Sequence, residues 1–163
     1  MEFLSYLEQT SLSTFIRESG SLLAFPTVLC IHTLGLSLVA GINSILAIRV
    51  LGLASGIPLQ SLKRLFPLMW LGMILSVLSG GALAMAKATT MFVNPILIVK
   101  LVMVVIACPI MVRMDKKLFR NPSGYKEGQS GEGRFMAASL LVIWTFVMIS
   151  GRLIAYSNTI FGL

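Results

Sequence analysis

Acidic residues are scarce in this chain and absent from its longest apolar stretches. All six Asp and Glu residues, Glu2, Glu8, Glu18, Asp115, Glu127 and Glu132, fall near the N-terminus or within one polar stretch. There is one histidine, His32, and there are two cysteines, Cys30 and Cys108, with no CxxC and no Cys/His spacing of a zinc site. No serine or cysteine is placed as a nucleophile beside a base, because Cys30 and His32 are two residues apart and so fall on different faces of a helix. An independent enzyme is therefore not expected. A basic leader is missing as well: the first 21 residues carry three glutamates ahead of the apolar run, so they are read as part of the mature protein and not as a signal peptide.

What the chain has is apolar length. Its 163 residues are 56% hydrophobic and its mean hydropathy is +0.91. About 20 apolar residues cross a bilayer, and four segments qualify, residues 22–48, 65–85, 95–112 and 135–157. The first runs for 27 residues without a formal charge, and the third contains Lys100. The expected fold is all-α, a polytopic four-transmembrane-helix bundle (22–163) preceded by an amphipathic segment over 1–21. In residues 3–18, Phe3, Leu4, Leu7, Leu12, Phe15 and Ile16 recur among polar residues with a loosely helical period, as in a helix lying on a membrane surface. No internal repeat and no soluble domain is seen.

Charge placement sets the expected orientation. Of the thirteen Lys and Arg residues, nine lie between spans 1 and 2 or between spans 3 and 4: Arg49, Lys63, Arg64, Arg113, Lys116, Lys117, Arg120, Lys126 and Arg134. Basic residues in short loops stay cytoplasmic, so both termini are expected outside, in the periplasm of a bacterial inner-membrane protein. The loop 113–134, with turn signals at Asn121-Pro122 and Ser123-Gly124, becomes a cytoplasmic linker. The net charge of +7 then reflects topology and anionic lipid headgroups, with no nucleic-acid partner expected. By depth, Cys30 falls in the outer half and Cys108 in the inner half, too far apart for a disulfide.

Polar residues at membrane depth mark functional sites or partners. Four stand out, His32, Asn94, Lys100 and Arg152. At 1.5 Å per residue, Lys100 and Arg152 lie roughly 7 Å below the outer ends of their spans and His32 roughly 15 Å. Each has an ordinary reading: Lys100 and Arg152 snorkel to the interface, and His32 is a neutral imidazole bonded to a neighbouring helix. Gly72, Ser76, Gly80 and Ala84, four residues apart in span 2, let a helix or a flat ligand approach closely, and helix packing is the plainer reading. Trp70, Trp144 and Tyr156 read as interface or packing aromatics, with Trp144 too deep for a headgroup belt. The ten methionines suit an adaptable apolar interior.

Several pieces of the chain, in this order, resemble a family of small four-helix bacterial inner-membrane proteins grouped as a domain of unknown function. They are Glu18-Ser19, "IHTLGLSL" around His32, "RVLGL" from Arg49, Trp70 to Gly72, "NPILIVK" from Asn94 to Lys100, and "GRLIAY" from Gly151 to Tyr156. The chain departs at Ala47, where an acidic residue commonly precedes the arginine. The resemblance implies the four-helix fold and draws attention to His32, Lys100 and Arg152, without implying an activity.

Two functions from different classes follow. In the leading one the bundle binds haem b, with His32 as the metal's axial ligand, Gly35 leaving room for the ring one turn away, and Lys100 and Arg152, with Tyr156 nearby, on the propionate side. That reading expects homo-oligomerisation, helped by the small-residue face of span 2, and a redox partner. In the other, a cofactor-free carrier holds an organic anion or a lipid headgroup on Lys100 and Arg152, with His32 as a proton-linked gate. A structural subunit of a larger membrane complex is the third.

Overall fold

The computed structural model of the chain describes residues 2–18, 24–120 and 131–161. The linker turns at Asn121-Pro122 and Ser123-Gly124, together with Lys126 and Glu127, lie outside the described residues. In chain order the helices are α1 (Glu2–Glu8), α2 (Ser11–Glu18), α3 (Ala24–Val50), α4 (Leu59–Lys63), α5 (Phe66–Ala86), α6 (Ala88–Met91), α7 (Pro95–Asp115) and α8 (Gly131–Phe161), with a widened turn over Lys116–Arg120 extending α7. No strand occurs among the described residues.

Four helical segments are long and apolar enough to cross a membrane: Ala24–Val50, Leu59–Ala86, Pro95–Phe119 and Gly131–Ile154. They match the four expected spans with shifted ends. α8 starts four residues earlier than the apolar run, because a helix continues through charged residues once its backbone bonds are propagating. Only 11% of the apolar window of Pro95–Phe119 is buried within the fold, and Leu78, Val105 and Phe146 are among many exposed large side chains. Surface of this kind, on helices whose backbone groups are satisfied internally, suits hydrocarbon and not water.

Local chemistry sets the ends. α3 stops at Gly52, whose φ of +90° is the left-handed conformation glycine adopts without strain. There Leu53 N donates to Ile48 O at 3.1 Å and Gly52 N to Arg49 O at 3.1 Å, the paired bonds of a Schellman cap. α7 begins with Asn94, whose Oδ1 accepts from Ile96 N at 2.9 Å, and with Pro95 in the first turn. The depth of Asn94 is thus explained by capping. Pro109 sits inside α7 without ending it.

α3 is central, packed on both α5 and α8, and α7 packs on α8. The core is lopsided. Val39, Leu46, Met69, Met111, Met114, Leu140, Trp144 and Val147 are almost fully buried, and all lie in the half of the bundle nearer the 51–65 connection. Trp144 is core as expected, and its Nε1 has no hydrogen-bond partner among the described residues. In the half nearer the N-terminus, residues 24–34 of α3 and 95–106 of α7 include no buried side chain.

The basic connections share one end, where Arg134 Nη2 donates to Leu51 O at 3.2 Å and Lys117 pairs with Glu132. Arg49 turns back to donate from Nε to Ile57 O at 2.5 Å. At the other end the amphipathic segment forms two helices where one was expected. They dock on protein, α1 on α6 and α5, α2 on α5 and α3. Ile16 and Ser13 are buried, and Glu8 Oε1 accepts from Thr89 N at 3.0 Å and from Thr89 Oγ1 at 2.7 Å.

Candidate functional site

The small-residue row of α5 is where α3 docks. A Cβ on Gly35 would stand 2.7 Å from Gly72 O and 2.9 Å from Ser76 N, and one on Gly72 would stand 2.9 Å from Gly35 O, so the two backbones touch. One turn further, a Cβ on Gly80 would lie 2.8 Å from His32 Cε1. The absent side chain at Gly80 is therefore the seat of the imidazole. Helix packing, the plainer reading of this row, holds for Gly72, Ser76 and Gly80. Two expectations change with it. The room beside Gly35 is filled by the backbone of α5, and the face of span 2 thought open to a second copy is covered within the chain.

The ring is held at both nitrogens. Nδ1 lies 2.9 Å from Ser76 O and 3.2 Å from Ser79 Oγ, whose own hydrogen goes to Leu75 O at 2.5 Å. A carbonyl can only accept, so Nδ1 carries the hydrogen and Nε2 the lone pair. Facing that lone pair at 3.4 Å is Lys100 Nζ, a group that can only donate. The lysine does not snorkel outward: its long stem turns from α7 toward α3, which is how a residue one to two turns nearer the end meets a deeper histidine.

The remaining candidates separate. A Cβ on Gly151 of α8 would stand 3.5 Å from Lys100 Nζ, so α8 closes the site at that level. Its neighbour Arg152 is exposed and Tyr156 is 61% exposed; neither is brought onto the His32–Lys100 pair. His32 and Lys100 themselves are half-buried. The layer they form lies just beyond Leu36, Met73, Ala107 and Val147, where the main hydrophobic core ends on α3, α5, α7 and α8.

Sequence reasoning did not single out Ser79 or Asn43. The spacing of Ser76, Ser79 and Gly80 on a helical face was available as a signal for a histidine seat. Asn43 is buried and donates to Val39 O at 2.8 Å and Met69 Sδ at 3.3 Å; it lies deeper in the core and serves packing between α3 and α5. Cys30 and Cys108 are both free.

The arrangement offers a donor-rich, positively charged spot. No group of three or more His, Cys, Asp or Glu side chains gathers among the described residues. Ligation of haem iron requires the Nε2 lone pair, which faces an ammonium here, and a slot for the macrocycle, which α5 occupies at Gly35. As arranged, these residues do not fit an axial haem site. Lys100 spends one donor on His32 and has two more, and no carboxylate lies in α3, α5 or the apolar part of α7. Comparison with known proteins leaves the site to be read on its own terms, since no family model, no curated protein and no solved structure matches the chain.

Proposed function

We propose that this protein is a cofactor-free membrane carrier or binding protein for an anion, held by Lys100 beside His32 in the half of the membrane nearer the termini. The carrying observation is the pair itself: the Lys100 amino group turned inward to the His32 nitrogen left over once Nδ1 donates to Ser76 O. A buried charge without an opposite charge is costly, and an anion is the partner that removes the cost. Arg152, close by on α8 and exposed, supplies an attracting charge at the mouth. The placement of the basic connections at one end supports a cytoplasmic location for that end and an outward-facing site.

Calorimetric titration of the full-length protein in a non-ionic detergent with inorganic phosphate, acetate and oleate tests the reading. Binding of one of these by wild type, weakened roughly tenfold or more in Lys100→Met, is expected from the loss of a charge-assisted hydrogen bond. Equal binding by both proteins would sink it. A Soret band in wild-type protein made with ample haem, lost in His32→Ala, would restore the haem reading.

A further inference from the structure

We infer that the anion carries an apolar tail and reaches Lys100 sideways from the bilayer, so that the ligand class is a membrane-dissolved monoanionic amphiphile. This rests on the anion-binding reading of the site.

The first support is the shape around the pair. Lys100 extends from α7 to a histidine of α3 that is seated on α5, yet α5 and α7 are not a closely packed pair. Nothing on residues 95–106 of α7 is buried, and the core ends one layer below His32. The polar pair therefore lies at a level where α7 buries no side chain and is not closely packed on α5, within reach of apolar helix surface. Ile98, Val99 and Val102 of α7 and Val77 and Leu78 of α5 are all more than half exposed, so the outer faces of both helices are apolar surface of the kind that faces lipid.

The second is what covers the other approach. Above α3 and α5 the short helices are in place: α2 packs on both, with Ile16 buried, and α1 is fastened to α6 by the two bonds from Thr89 to Glu8. A solute coming from water over α3 and α5 meets this cover. A solute already in the membrane approaches instead from the side where α5 and α7 are not closely packed.

Charge selects the headgroup. With His32 neutral, the pair presents one positive charge, which a single negative charge balances, while a dianion would leave net charge and heavy hydration in an apolar setting. A carboxylate and a phosphodiester share that chemistry. The tail contributes by packing on apolar helix surface and by keeping the ligand at membrane depth.

Native mass spectrometry of the full-length protein released from non-ionic detergent reads this out, with oleate and phosphatidylglycerol as amphiphilic probes and acetate and inorganic phosphate as competitors in excess. One retained oleate or phosphatidylglycerol per chain is expected for wild type and Lys100→Arg, reduced roughly tenfold in Lys100→Met, and not displaced by acetate or phosphate. Retention of oleate alone assigns a carboxylate, of phosphatidylglycerol alone a lipid headgroup, and of both the shared charge. If acetate or phosphate displaces the probe from wild type, or binds with the same dependence on Lys100 while the amphiphiles do not, the anion site stands and the amphiphile inference falls. If no probe shows dependence on Lys100, both fall. Normal insertion of Lys100→Arg, checked by circular dichroism, separates loss of charge from loss of fold.

Discussion

Lys100 Nζ stands 3.4 Å from His32 Nε2, and this hydrogen bond joins α7 to α3 across a level where their flanking residues bury little. The two residues are 68 apart in sequence. Because one donor–acceptor pair connects them, their contributions to anion binding should be coupled. His32→Ala and Lys100→Met are expected to weaken binding singly, and the double variant should lose less than the two losses combined. Strict additivity would show that the residues act separately.

Ser76 and Ser79 both contact Nδ1, but with different groups. Ser76 offers its backbone carbonyl and Ser79 its hydroxyl. Ser76→Ala should leave the affinity for the bound anion unchanged, whereas Ser79→Ala should lower it about two- to tenfold, corresponding to about 0.5–1.5 kcal/mol for one hydrogen bond. Equal effects would mean that the ring is not held as described.

Helix packing at the small-residue row gives a stability contrast. A Cβ at Gly35 would meet backbone at 2.7 and 2.9 Å, and backbone cannot step aside as a side-chain tip can, while a Cβ at Gly41 meets nothing within 4 Å. Gly35→Ala should destabilise the protein by about 1–3 kcal/mol in detergent. Gly41→Ala should be neutral or slightly stabilising, as expected for an exposed helical glycine. Thermal unfolding followed by circular dichroism measures both.

The docking of the N-terminal helices rests partly on the carboxylate of Glu8. Glu8→Gln keeps the shape but removes the charge that strengthens the bonds from Thr89 N and Oγ1. Amide exchange across α1 and at Thr89 should quicken severalfold, with exchange in the core helices unaltered. Unchanged exchange at Thr89 would mean that the docking is carried by apolar contacts such as those of α2.

Orientation is testable at two exposed serines. Ser11 lies on α2 at the terminal end and Ser61 on α4 at the basic end. In a Cys30→Ala, Cys108→Ala background, Ser11→Cys should react with an impermeant thiol reagent in intact cells, and Ser61→Cys only after lysis, because short basic connections are retained inside. The opposite pattern would place the anion site in the cytoplasmic half.

The four-helix fold was legible because crossing a bilayer demands apolar length, and length is a property of consecutive residues. The same holds for the segregation of basic residues into two connections and for the row Gly72, Ser76, Gly80, whose spacing is the helical repeat itself. His32 and Lys100 could be named from the sequence, since any ionisable residue inside an apolar run is conspicuous. What the sequence left open was their relation. Residue counting put Lys100 nearer the interface than His32, and an outward-turned lysine satisfied the count equally well. Only the tertiary structure sets the direction of the lysine stem, because it depends on the acceptor that α3 presents and on Gly80, whose missing side chain leaves room for the imidazole against α5. It likewise decides that Gly35 meets a backbone and not a ring, that Arg152 stays exposed, and that α1 and α2 rest on α5, α6 and α3. These depend on contacts between segments distant along the chain, fixed jointly by packing and by polar groups that must find partners where water is absent.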